Sequence, residues 1–224
     1  MSTVEALPQG AKRRDYWWTV LLVDPLAVPI ARFVAARRLL SADQVTWVSA
    51  VFGLPVGIAF AWGSRTGLIV GAVLFYVSFL LDCVDGKVAR ALGTMSPAGV
   101  TIDQIADGAR RAGASLGLTV YLWKVAQPHG ADGRFFWAVV YGLLAFYFGL
   151  ISGGTRADAA TRVGSRWSQW LAHHRLLPTP GAPDAAGIAF VIGPLFGWVV
   201  PCLVIGCVML GAGVAVTAMR LVRR

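Results

Sequence analysis

The sequence predicts an all-α integral membrane protein, with six transmembrane helices preceded by an N-terminal interfacial amphipathic helix. Three observations predict it. Apolar runs of membrane length recur along the 224 residues, of which 57% are hydrophobic and 14% charged, with a mean hydropathy of +0.65; an ordinary soluble domain carries about a quarter charged residues. The 26 glycines suit helices in lipid, where small residues let backbones approach closely. The Lys and Arg residues cluster between the apolar runs and divide unequally between the two faces that six crossings define.

Residues 1–15 read as a polar tail. The stretch 16–40 is apolar but broken by Asp24, Pro25, Pro29, Arg32, Arg37 and Arg38, and Trp17 and Trp18 suit the headgroup level, so it reads as a helix lying in the interface. Ser41 or Asp43 can cap the next helix by accepting from its unpaired N–H groups. Spans follow at 45–62, 66–81 (continuing as helix into Arg90), 102–123 and 135–151, the last two separated by a polar turn around Pro128, His129 and Gly130. Residues 153–183 hold Arg156, Arg162, Arg166 and Arg175 and are too polar to span; they predict a second surface helix ended by Pro178, Pro180, Gly181 and Pro183. The apolar stretch 185–222 is about twice the length of one span and splits near Gly197–Pro201. The bundle over 45–222 and the helix before it form one domain over residues 1–224.

Six spans put both termini on one face. Of the 20 Lys and Arg residues only Arg65, Lys124 and Arg134 then fall on the other, which predicts cytoplasmic termini in the plasma membrane. Five spans would place Arg220, Arg223 and Arg224 outside, against that rule.

A net charge of +9 raises nucleic acid as a partner, but the cations lie between apolar runs and no nucleic-acid-binding motif is present. They suit anionic headgroups or phosphate substrates instead. Cys83, Cys202 and Cys207 lie in apolar runs without metal or redox spacing and read as packing residues. The polar start Met1–Gly10 has no signal-peptide pattern, so insertion is expected to use the internal spans.

The chemistry concentrates in Asp82-Cys-Val-Asp85-Gly86-Lys-Val-Ala89-Arg90 and Gly99-Val-Thr-Ile-Asp103-Gln-Ile-Ala-Asp107. Asp82 and Asp85 are three apart and share a helix face; Asp103 and Asp107, four apart, do likewise. Pro97 and Gly99 turn the chain between them, so the faces can meet. Four clustered carboxylates in a low-dielectric setting stay ionised only if cations neutralise them. All-oxygen ligation favours Mg²⁺ or Mn²⁺ over zinc, and two such ions can clamp a pyrophosphate. Gly86, Ala89 and Gly99 leave room for a flat ligand against the backbone, and Arg90 offers a fork for phosphate. A cation transporter using the same carboxylates is the alternative of another class. Against it, the acids lie near one membrane face and no second set appears across the bilayer. A non-catalytic scaffold would not need all four acids.

The segment resembles the signature of the class I CDP-alcohol phosphotransferase (CDP-alcohol phosphatidyltransferase) family, D-x-x-D-G-x-x-A-R-x8-G-x-x-x-D-x-x-x-D. Asp82, Asp85, Gly86, Ala89, Arg90, Gly99, Asp103 and Asp107 fill all eight positions at the family's spacing. Ser41-Ala-Asp-Gln-Val-Thr46 resembles the family's T-P-N-x-x-T at the start of the first span, with Ala42 for Pro and Asp43 for Asn. Thr46 is then either a nucleotide-pocket residue or simply a helix-start residue. The resemblance implies two divalent ions, Mg²⁺ or Mn²⁺, held by Asp82, Asp85, Asp103 and Asp107. It implies a CDP group bound at Asp82, Gly86, Ala89, Arg90, Gly99 and Thr46. Asp107 is implied as a metal ligand, as the catalytic base for the acceptor hydroxyl, or both.

The reaction implied is phospholipid synthesis: transfer of a phosphatidyl group from CDP-diacylglycerol to a polar alcohol, with release of CMP. The family also includes enzymes using a soluble CDP-alcohol and a lipid acceptor, and its members tend to form dimers, so a homodimer is implied. Arg110 and Arg111, one turn past Asp107, and Arg156 and Arg162, after the fourth span, would bind a phosphorylated acceptor such as inositol phosphate or glycerol phosphate if they converge; the alternative is that they meet lipid headgroups. Arg156-Ala-Asp158 resembles the R-A-E element of the family's phosphatidylinositol-phosphate synthases, but Gly154 stands where those carry Lys. His173-His174 point apart on a helix and read as an interfacial pair. Gly57 and Gly113/Gly117 belong to a set of small-xxx-small pairs that read as packing sites.

Overall fold

The computed structural model describes residues 11–126, 133–152 and 166–222. A short π-helical turn, Thr19–Val23, leads into α1 (Asp24–Arg37), followed by α2 (Ala42–Gly53), α3 (Val56–Ala61), α4 (Arg65–Leu92), α5 (Pro97–Ala126), α6 (Phe136–Ser152) and α7 (Arg166–His173). The apolar C-terminal stretch forms α8 (Ala182–Gly187), a π-helical turn Ile188–Ile192 and α9 (Gly193–Phe196), then α10 (Val199–Val222). Its break falls at Gly197, whose φ of 77° is left-handed and ends the helix without a Cβ clash.

Local chemistry sets the other boundaries. The Ser41 hydroxyl accepts from the Gln44 N–H at 3.2 Å while the Gln44 side chain accepts from the Ser41 N–H at 2.9 Å, a reciprocal cap that starts α2. Pro55 has no N–H to continue the ladder, so the first expected span is two helices, α2 and α3. Ser64 accepts from the Gly67 N–H at 3.0 Å and opens α4, which runs unbroken to a left-handed Gly93 at φ 67°. Pro97 then occupies the start of α5, a position that needs no N–H. Gly99 therefore lies in the first turn of α5, its N–H donating to Ser96 Oγ at 3.0 Å.

Four helical segments are long and apolar enough to cross a membrane: Thr19–Arg37, Ala42–Ala61, Arg65–Leu92 and Val199–Met219. Phe136–Ile151 and Ala182–Phe196 are shorter apolar helices. The N-terminal helix, expected in the interface, thus has the length and composition of a span. The stretch before it is strapped to the segment after α7. Asp15 N donates to the Arg175 carbonyl at 2.8 Å, and Trp17 Nε1 to the Leu177 carbonyl at 2.8 Å. Buried Asp24 pairs with Lys87 of α4 at 2.9 Å and with Arg175 at 3.0 Å.

The packing is that of a protein whose solvent is apolar. Leu54, Ile58 and Val208 are exposed on the outside, while Phe75 and Tyr141 pack inside against Phe190, tilted and edge-on, each with its ring centroid 5.0 Å away. Helices α3 and α5 touch backbone to backbone. A Cβ at Gly57 would sit 2.4 Å from the Gly113 carbonyl oxygen, and one at Gly117 2.3 Å from that of Gly57; only glycine permits this approach. At one end of the bundle Arg65 donates to the carbonyls of Pro194 and Leu195, and Lys124 to the Ala61 carbonyl at 2.7 Å. Two of the three basic residues assigned to the far face therefore satisfy helix C-termini at one end of the molecule. Exposed Trp62, Trp123, Phe136 and Trp198 ring that end.

Candidate active site

The opposite end of α4 carries the carboxylates. After Gly93 the short link Thr94–Ser96 returns the chain into α5, which brings Asp103 and Asp107 against Asp82 and Asp85. An open cleft with about 110 Å³ of water-accessible space lies between α2, the end of α4 and the start of α5. Thr46, Asp85, Gly86, Ala89, Arg90, Gly99 and Asp103 all line it, so seven of the residues singled out in the sequence meet in one place. Asp82 and Asp107 stand one turn further into the bundle along α4 and α5.

Asp85 is only 4% exposed and accepts from Thr46 Oγ1 at 2.6 Å. Thr46 lines the cleft, and its hydroxyl lies within hydrogen-bond distance of the Ala42 carbonyl in the first turn of α2 at 3.1 Å as well as of Asp85. The reciprocal Ser41/Gln44 cap fixes the turn of α2 from which it reaches. Gly86 faces Arg90; a Cβ there would lie 3.3 Å from Arg90 Nη1. The guanidinium thus lies over Gly86, and both residues line the cleft with Ala89.

Arg110 and Arg111 do not line the cleft. Arg110 is 4% exposed and donates to Asp107 Oδ1, to Asp82 Oδ1 at 3.4 Å and to Ser78 Oγ at 3.0 Å. Arg111 donates to Asp107 Oδ2. Asp107 is thus bracketed by two guanidiniums. Arg156, Arg162 and His129 lie outside the described residues. His173 and His174 are exposed beside Trp170.

Three features went unseen in the sequence. Asp43, read there as a helix cap and as the counterpart of Asn in the family's T-P-N-x-x-T element but given no part in the site, also lines the cleft. Lys87, inside the signature, is turned away onto Asp24. Ser49 and Ser78 cross-link α2 and α4, each hydroxyl donating to the other's carbonyl at 2.9 Å. The signal for Ser78 was its place four residues before Asp82, on the same face of α4.

The donor set suits a hard divalent cation. It is all oxygen, and Asp103 Oδ1 is buried with no hydrogen-bond partner, a cost that a bound cation would relieve. Among the described residues no three His, Cys, Asp or Glu side chains close into a finished cage; Arg110, Arg111 and Thr46 hold the carboxylates in its place.

Fold and site together define a helical membrane protein with an acid-lined cleft at one end of its bundle. Residues 39–219 match the profile of the CDP-alcohol phosphatidyltransferases, and the chain belongs to that family. No curated protein sequence matches it. Its fold is similar to that of the Mycobacterium tuberculosis phosphatidylinositol phosphate synthase PgsA1. With CDP-DAG bound, that protein aligns with a TM-score of 0.53 at 18% identity, covering 86% of this chain and 94% of its own. In complex with manganese and citrate it aligns with a TM-score of 0.50 at 19% identity, covering 84% and 88%.

Proposed function

We propose that the protein transfers a phosphatidyl group from CDP-diacylglycerol to a polar alcohol in phospholipid synthesis, releasing CMP. The observation that carries this reading is the meeting of Thr46, Asp85, Gly86, Ala89, Arg90, Gly99 and Asp103 around one cleft, at the spacing of the family signature. The bare strip at Gly86, Ala89 and Gly99 takes the cytidine and ribose, and Arg90 binds a phosphate of the diphosphate. Asp82, Asp85, Asp103 and Asp107 would hold two Mg²⁺ or Mn²⁺ ions, whose charge would offset that of the diphosphate. Asp107 keeps both roles of the resemblance, metal ligand and base for the acceptor hydroxyl. That oxygen attacks the phosphorus distal to cytidine, the bond from this phosphorus to the oxygen of CMP breaks, and CMP leaves.

The acceptor we assign is a phosphorylated alcohol such as inositol phosphate or glycerol phosphate, with Arg156 and Arg162 as its remaining candidate contacts. The chain acts as one six-span catalytic domain, both termini and the cleft cytoplasmic, in the plasma membrane and as a homodimer. The cleft's position at one end of the bundle suits the proposed substrates, since a lipid donor can enter sideways there while a soluble acceptor arrives from water.

The test is CMP release by purified protein in lipid, offered CDP-diacylglycerol with inositol, inositol phosphate, glycerol phosphate, serine or buffer, each with Mg²⁺, Mn²⁺ or EDTA. Metal-dependent CMP release with one acceptor establishes the reaction and names the product. If all acceptors are silent and CDP with metal does not bind, the enzyme reading fails and cation transport by the carboxylates replaces it.

A further inference from the structure

We infer that Arg110 is a positioning residue for the reaction proposed above: a resident cation, built into the bundle, that aims Asp82 and Asp107 into the site and offsets part of their charge. The inference rests on that reading of the carboxylates as metal ligands.

Its anchors come from three helices. The guanidinium donates to Asp107 of its own helix, to Asp82 of α4 at 3.4 Å and to Ser78 of α4 at 3.0 Å. The Ser78 hydroxyl in turn donates to the Ser49 carbonyl of α2 at 2.9 Å. Phe75 and Phe79 flank the guanidinium, their ring centroids 5.7 and 5.5 Å from its carbon, so it has apolar walls as well as polar ends. Gly53 on α2 leaves room for the Ser78 hydroxyl that anchors it: a Cβ there would lie 2.8 Å from Ser78 Oγ, and in ordinary contact, 3.6 Å, with Arg110 Cδ. A side chain only 4% exposed is not available to a soluble acceptor. It is placed to act on the carboxylates alone.

Such a cation has two effects that can be separated. Its charge opposes a divalent ion approaching Asp82 and Asp107, and so weakens metal binding. Its planar fork fixes the direction in which both carboxylates point, and so supports turnover. The carboxylates stay tethered to rigid helices when the arginine is removed, so the loss of repulsion dominates metal affinity and the loss of aim dominates rate. Arg111, only on Asp107 and only one turn away on the same helix, does not link α4 to α5.

The experiment is Mn²⁺ binding, read as the fall in free-ion electron paramagnetic resonance signal, on full-length protein in lipid nanodiscs, alongside CMP-release kinetics. R110M is expected to bind Mn²⁺ about fivefold or more tightly than the wild type while kcat falls about thirtyfold and KM for CDP-diacylglycerol stays within about threefold. R110Q, which removes the charge but keeps a polar amide, carries the same expectation and serves if R110M is not recovered folded. R110K, which keeps the charge but not the fork, is expected to bind Mn²⁺ like the wild type with an intermediate kcat. Folded R110M or R110Q with unchanged or weaker Mn²⁺ binding overturns the inference and leaves the enzyme reading standing. A wild-type protein that binds no Mn²⁺ overturns the metal reading itself, and the inference with it.

Discussion

Asp85 sits where burial and chemistry conflict most sharply. Its carboxylate is almost wholly enclosed yet opens onto the cleft, and Thr46 Oγ1 at 2.6 Å is a charge-assisted hydrogen bond of the stronger kind. Asp85→Asn keeps the shape and removes the charge. It is expected to abolish CMP release while the protein still inserts and migrates as a folded species on size exclusion; normal turnover would sink the metal-ligand role. Thr46→Val keeps the β-branch and removes the donor. A hydrogen bond to a charged group contributes about 1.5–3 kcal/mol, so kcat/KM should fall at least about tenfold, with Thr46→Ser close to wild type. Equal rates in the valine and serine variants would return Thr46 to a helix-start role. At this scale the sequence was most legible, because the spacing of Asp82, Asp85, Asp103 and Asp107 forces each pair onto one helix face. Arg110 was not legible in the same way. Whether an arginine three residues past Asp107 points to solvent, lipid or the next helix depends on how α4 and α5 cross, and no local spacing encodes that crossing.

Single helices were legible where a punctuating residue has only one use. Gly197 ends a helix at positive φ, and the break expected near Gly197–Pro201 lies there; Gly93, not read in the sequence, ends α4 in the same way. Proline was harder to read, since it can end a helix, break it or begin it. Pro55 divides the first expected span, and Pro97, read as part of a turn, begins α5 instead. The contact of α3 with α5 gives the prediction at this scale. A side chain at Gly117 meets the Gly57 carbonyl oxygen at 2.3 Å, whereas a Cβ at Gly113 meets nothing within 4 Å. Gly117→Leu must push two backbones apart and is expected to cost about 1–3 kcal/mol or more. Gly113→Ala gains helix propensity without a clash and should be neutral or stabilising by up to about 1 kcal/mol. Thermal unfolding of both variants in one detergent checks the pair. Similar losses in both would mean that the close approach of α3 and α5 is not what the glycines permit.

Length ties the site to the membrane. The 28 residues of α4 rise about 42 Å at 1.5 Å each, against a hydrocarbon core of about 30 Å. Counting about twenty residues from Arg65 reaches the level of Asp82 and Asp85. Counting the same number back from Ala126 along α5 reaches Asp107. The segment Pro97–Ala126 is not among the four apolar enough to cross by composition; in the six-span arrangement proposed above, both helices leave the core at the carboxylates and the surplus turns with Arg90, Gly99 and Asp103 stand at headgroup level. The opposite boundary is marked independently by Arg65 and Lys124 on helix C-termini and by exposed Trp62, Trp123 and Trp198. The segment Thr19–Arg37 can cross by length and composition, but a seventh crossing would separate the termini and carry Lys12, Arg13 and Arg14 to the far face. Its Asp24 is instead paired with Lys87, which lies beyond the carboxylates on the protruding part of α4, and this favours a helix lying at the site's own boundary. Cysteines introduced at Ala11, Thr94 and Arg134, and after Arg224, with a membrane-impermeant maleimide on sealed vesicles of each orientation, decide it. Ala11, Thr94 and the C-terminus should label from the cytoplasmic side and Arg134 from the other. Labelling of Ala11 with Arg134 would make the N-terminal helix a span and set the amino terminus opposite the cleft.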